Sequence, residues 1–109
     1  MISVKARLDA SGVVVAVEAE GHAGGAPRGA NVVCAAATVL LRTAYETLAS
    51  YPGVEVDGSA PERGALRFVV RRYGDAEMPL ARGVGDFLLT GLSALARESP
   101  ADVLLEIVR

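Results

Sequence analysis

From Ile2 to Leu8 every second residue is apolar: Ile2, Val4, Ala6 and Leu8 alternate with Ser3, Lys5 and Arg7. A period of two gives a strand one dry face and one wet face. The dry face requires a covering layer, and this requirement governs how the rest of the chain is read. Asp9-Ala10-Ser11-Gly12 is turn chemistry, and Val13 to Glu20 resumes a β-prone run, so the first twenty residues read as a hairpin.

Two stretches carry a helical period that can supply the cover. Ala36, Ala37, Leu40, Leu41, Ala44 and Leu48 recur at intervals of three and four until Tyr51-Pro52-Gly53 stops the run, and Asn31 is the expected N-cap. Val84, Phe87, Leu88, Gly91, Leu92 and Leu95 mark a second amphipathic helix from about Glu77 to Arg97, with Pro79 near its start and Ser99-Pro100 at its end. Between the helices, Val54 to Val56 reads as a short strand. It is followed by Asp57-Gly58, a loop through Pro61, and an alternating strand from Ala65 to Arg71. The nearly all-apolar tail Val103 to Val108 suggests a strand covered on both faces or lying on a dimer edge. The order ββαββαβ predicts an α+β two-layer sandwich, with a mixed five-stranded sheet and two helices in one domain over 1–109.

Composition narrows the function classes. The 109 residues are 51% hydrophobic, yet hold three tyrosines, two phenylalanines and no tryptophan. The core must then be built from Val, Leu and Ala. The net charge of −2 lacks the positive excess that binds a phosphate backbone, so no direct nucleic acid binding is expected. Arg63, Arg67, Arg71 and Arg72 are interleaved with Glu62, Asp75 and Glu77 and read as a solvated face. A single cysteine forms no internal disulfide, and no leader or bilayer-length apolar run is evident, so the expectation is a cytoplasmic protein without a membrane partner.

The only histidine and the only cysteine, His22 and Cys34, flank a stretch from Gly21 to Gly29 that holds four glycines and Pro27. Such a composition resists helix and strand and predicts a loop. A catalytic thiol needs a base to manage its proton and an environment that favours the thiolate. With Asn31 as cap, Cys34 would fall in the first helical turn, where free amides and the positive end of the helix dipole favour an anion. The amides of Val33 and Cys34 would then be candidate oxyanion donors. Each residue also has an ordinary reading: a lone cysteine amid Val and Ala is commonly a core residue, and a histidine in a glycine loop is commonly just exposed. Asn31 could cap the helix or orient an imidazole. One Cys and one His leave a metal short of ligands, and the loop lacks the Gly-Lys-Ser/Thr ending of a phosphate cradle, so neither metal nor cofactor is expected.

Gly21-His22-Ala23-Gly24 followed by Gly29-Ala30-Asn31-Val32-Val33-Cys34-Ala35-Ala36-Ala37-Thr38 resembles the ribosomal-processing cysteine proteases, the Prp family of bacteria, and the ββαββαβ order extends the likeness over nearly the whole chain. The resemblance implies a homodimeric cytoplasmic endopeptidase that removes an N-terminal extension from a precursor of large-subunit ribosomal protein number twenty-seven. It makes Cys34 the nucleophile and His22 the base, with Gly24, Gly25 and Gly29 in a loop that orders over the substrate. The family usually carries an aspartate at the position of Asn31 and a serine at that of Thr38. Neutral Asn31 can orient an imidazolium but cannot balance its charge. Two other readings compete: a non-catalytic ribosome-associated or assembly factor, and a structural homodimer module.

Overall fold

The computed structural model describes residues 1–21, 28–60 and 65–109, with side chains in the first helix described from Val32 onward. The elements run β1 (Ile2–Leu8), β2 (Val14–Glu20), α1 (Arg28–Ala49), β3 (Val54–Ser59), β4 (Ala65–Tyr73), α2 (Met78–Glu98) and β5 (Val103–Val108). This is the expected ββαββαβ order and α+β class.

The five strands form one sheet in the order β3-β4-β2-β1-β5. β1 pairs antiparallel with β2 and parallel with β5, so the sheet is mixed. β2 and β3 each pair antiparallel with β4. Register keeps Ile2, Val4 and Ala6 in line with Val17, Ala19, Phe68 and Val103 on one face, and all seven are buried. Lys5, Glu18, Arg67 and Glu106 stand in line on the other face, and all four are exposed. Both helices therefore cover a single side of the sheet, which gives two layers.

The hairpin turn is held by its first residue. Asp9 Oδ1 accepts the amides of Ser11 at 2.9 Å and Val13 at 3.0 Å, while Gly12 closes the turn at φ 82°. Asp9 Oδ2 accepts the hydroxyl of Tyr73, tying the turn to the far end of β4. α2 begins after Glu77 with Pro79 in its first turn, where a missing amide costs no helical hydrogen bond. It ends as the Ser99 amide donates to the Leu95 carbonyl at 2.8 Å.

Between the helices and the sheet pack Phe68, Leu88, Leu92, Val4, Val13 and Val17, each at most 2% exposed. Burying a side chain of this size contributes about 1.5–3 kcal/mol. The core is made of Val, Leu and Ala as the composition predicts, with one ring, Phe68, tilted against Tyr45 at 6.1 Å between centroids.

Four expectations need correction. β3 runs through Asp57 and Gly58 to Ser59 rather than stopping at Val56. A side chain at Gly58 would overlap the Tyr45 ring, so this glycine makes room for packing and does not turn the chain. The acids that offset Arg71 and Arg72 are their cross-strand neighbours Asp57 and Glu55, each 2.8 Å away, rather than Asp75 and Glu77; Glu62 and Arg63 lie outside the described residues. β5 is an edge strand whose Val103 is buried but whose Leu104 and Ile107 are exposed, so it is not covered on both faces. Finally, α1 contains an 18-residue stretch, Val32–Ala49, that is long and apolar enough by length and composition to cross a bilayer. One face of that helix, Ala37, Leu41, Ala44 and Leu48, is buried in the core, while the opposite face carries exposed Val39 beside the charged pair Arg42 and Glu46.

Candidate functional site

The helix carrying Cys34 starts earlier than its sequence suggests. α1 begins at Arg28, three positions ahead of the expected cap, so Asn31 lies inside the helix and is not its N-cap. Arg28 and Ala30 are strong helix formers, and Gly29 falls in the first turn, whose amides have no intrahelical acceptor to lose. Two corrections follow. Gly29 belongs to α1 and not to the glycine loop. Cys34 sits in the second turn, so its amide and that of Val33 are committed to the helical ladder and are not free to receive an oxyanion.

Cys34 is a free thiol of intermediate exposure. It packs against the core on one side and on the other lines a cavity of about 390 Å³ between the start of α1 and the sheet. The floor and walls are apolar: Ile2, Ala19, Ala37, Leu41, Ala60, Ala65 and Leu66. Glu20 and Arg42, both exposed, supply its charge, and Arg42 is only loosely paired with Glu46 at 3.9 Å. An open apolar cleft with a few polar groups beside a nucleophile is the usual form of a small binding site.

Thr38, one turn beyond Cys34, also lines the cavity, but its hydroxyl donates to the Cys34 carbonyl at 2.8 Å. Val33 packs against the core. His22, Gly24 and Gly25 lie outside the described residues. Their neighbour Gly21 is described and lines the Cys34 cavity. Gly21 has φ 102°, and a Cβ there would overlap the Met1 carbonyl oxygen, so only glycine lets β2 turn out of the sheet at this point.

The cavity includes residues that sequence spacing alone did not single out: Ile2 from β1, Ala19 and Glu20 from β2, Leu66 from β4 and Arg42 from α1. Their signal is positional. Ala19 pairs with Leu66 across the β2–β4 ladder, which becomes visible only once the strand order is known.

The site is thus a free thiol on a helix packed across a sheet, open to an apolar cleft in a small α+β domain. The cysteine protease Prp family matches residues 1–104. The chain belongs to that family and is a cysteine-type protease. Solved structures agree on the fold. A Streptococcus mutans protein, SMU.848, is 24% identical and superposes with a TM-score of 0.80, covering 99% of this chain and 94% of its own. The Staphylococcus aureus ribosomal processing protease Prp with a covalently linked product peptide is 22% identical, with a TM-score of 0.78 and coverage of 98% and 99%. The same protease with a substrate peptide is 21% identical with a TM-score of 0.79 and the same coverage. No curated protein matches the chain.

Proposed function

We propose that this protease removes the N-terminal extension from large-subunit ribosomal protein number twenty-seven in the cytoplasm, acting as a homodimer through Cys34 and His22. The carrying observation is that Cys34 and Gly21, the residue preceding His22, line one cavity. In support, the chain belongs to the cysteine protease Prp family, and the S. aureus relative is a ribosomal processing protease that has been seen with a substrate peptide and with a covalently linked product peptide.

In this mechanism the His22 imidazole takes the Cys34 proton, and the thiolate adds to the scissile carbonyl carbon. The tetrahedral intermediate collapses as His22 returns the proton to the leaving amine, leaving a thioester on Cys34. Water, deprotonated by His22, then adds to the thioester, and the carboxylate product departs as the thiol is restored.

The test is incubation of the full-length ribosomal protein with wild type, Cys34→Ala and His22→Ala, followed by measurement of its N-terminal mass. Loss of a discrete peptide with wild type alone is expected. Intact substrate in all three reactions overturns the assignment and favours a non-catalytic assembly factor, the reading that neutral Asn31 in place of the family's aspartate supports.

A further inference from the structure

Among the described residues, the lining of the Cys34 cavity carries charge at two places, Arg42 on α1 and Glu20 at the end of β2. Cys34, Thr38 and Arg42 follow one another at intervals of four and all line the cavity, so the cavity runs lengthwise along α1. Arg42, eight residues beyond Cys34, lies about 12 Å further along the helix axis. α1 leads into β3, which returns to the cavity at Ala60, so helix and strand run in opposite directions. β2 is parallel to β3, since both pair antiparallel with β4, and Glu20 therefore stands with Ala60 near the start of α1. The two charges thus lie toward opposite ends of the cleft.

Both charges are open to a ligand. Arg42 approaches Glu46 only to 3.9 Å, beyond hydrogen-bond length, and the two side chains are 64% and 66% exposed. Glu20 has Ser3 and Ala65 as its cross-strand neighbours, whereas Glu18, in the next row, stands between Lys5 and Arg67. Glu20 also borders a depression of about 340 Å³ on the uncovered face of the sheet, which puts it at the rim where the cleft opens toward that face.

We infer that Arg42 and Glu20 set the substrate specificity of the cleft: the peptide lies along α1 with an acidic side chain, two to four residues from the scissile bond, on Arg42, and with a basic side chain on the other side of that bond on Glu20. The inference rests on Cys34 as the nucleophile, proposed above, and adds charge to what an apolar cleft selects. An extended peptide advances about 3.3 Å per residue, so four residues span the distance from Cys34 to Arg42. An arginine side chain leaning toward the start of its helix shortens that span to two or three. The guanidinium fork donates two parallel hydrogen bonds to a carboxylate, and the Glu20 carboxylate accepts from an ammonium or guanidinium group. Opposite charges at the two ends also fix the direction of the peptide, because the reversed chain would set like charges together.

Cleavage-site profiling of a mixed peptide library by mass spectrometry tests this with the full chain as wild type, Arg42→Glu, Arg42→Lys and Glu20→Lys. The expected wild-type profile is enriched about two- to fivefold in Asp or Glu on one side of the cut, and in Lys or Arg on the other. Arg42→Glu should turn the acidic preference into a basic one and leave the other side unchanged, and Glu20→Lys should do the converse. Arg42→Lys should keep the acidic preference in weaker form. For a peptide matched to wild type, Arg42→Glu should raise KM more than it lowers kcat. A purely structural role lowers cutting at all sites and reverses no preference. Library cutting with both reversals, but no action on the ribosomal protein, supports this inference and overturns that substrate alone. Processing of the ribosomal protein together with a profile that neither reversal alters leaves the proposed function standing and overturns this inference. A wild type that cuts neither overturns both.

Discussion

The Thr38 hydroxyl donates to the carbonyl of Cys34 at 2.8 Å, so the first polar side chain after the thiol in sequence is turned into its own helix. A hydroxyl bonded back to a helical carbonyl contributes little to stability. Thr38→Val, which keeps the shape and removes the donor, should shift folding free energy by no more than about 0.5 kcal/mol in a urea titration. If the hydroxyl serves only the helix, the processing rate stays within about threefold of wild type, a range that corresponds to less than 1 kcal/mol of barrier.

Cys34 is partly exposed in an open cleft. Iodoacetamide should therefore alkylate it in the native protein, read as a single mass increment, and alkylation should abolish peptide processing. A thiol that is only core would resist until denaturant is added. Cys34→Ala removes one sulfur from a site already half open and should cost about 1 kcal/mol or less of stability.

Gly21 combines a positive φ with the close approach of the Met1 carbonyl. Gly21→Ala should lower stability by about 2–4 kcal/mol, since strained backbone and steric overlap both oppose it. Because Gly21 lines the Cys34 cavity, the same variant should lose processing activity even at temperatures where it remains folded. Comparing the urea midpoint with the rate measured well below it separates the two effects.

Asp9 and Tyr73 give the fold a pH signature. Desolvation pushes the Asp9 carboxyl up, but hydrogen bonds from the Tyr73 hydroxyl and the amides of Val13, Ser11 and Gly12 outweigh it and hold the carboxyl below its ordinary range. Its stabilisation is full above the unfolded carboxylate value and is lost as pH falls through the lower folded value. The bond to Asp9, reinforced by desolvation, pushes the Tyr73 phenol up, so its contribution is full below the ordinary phenol value and is lost as pH rises through the raised one. Tyr73→Phe should cost about 1 kcal/mol and flatten both limbs of the stability profile. Asp9→Ala should cost more, because the turn amides lose their acceptor as well, and the double variant should cost less than the sum.

The ease of reading this chain tracks the range of the interaction that decides each feature. β1, β2 and α2 follow from alternation, turn residues and helical period, all of which act within a few residues, and the structure agrees to within a residue or two. Gly58 misled the reading because its reason is Tyr45, a residue on another element. The start of α1 was misplaced because Asn31 is a good cap by type, while Arg28 and Ala30 extend the helix past it. The cavity walls at Ile2, Ala19 and Leu66 depend on the β4-β2-β1 strand order, which no local pattern encodes. Cys34 stood out by its singularity and by its neighbours in the chain.

The pairing of β1 with β5 bears on how the protein is made. Ile2 sits beside Val103 in a parallel ladder, so the first strand leaves the ribosome with one edge open and waits for nearly the whole chain before that edge is filled. Ile2 is also a wall of the cavity beside Cys34. During synthesis every residue that lines the cleft, from Ile2 to Leu66, is therefore made before the strand that fills the open edge of β1. Contacts so distant in sequence slow closure of the sheet, so the sheet beneath the cleft gains its last strand only after the whole lining has been made.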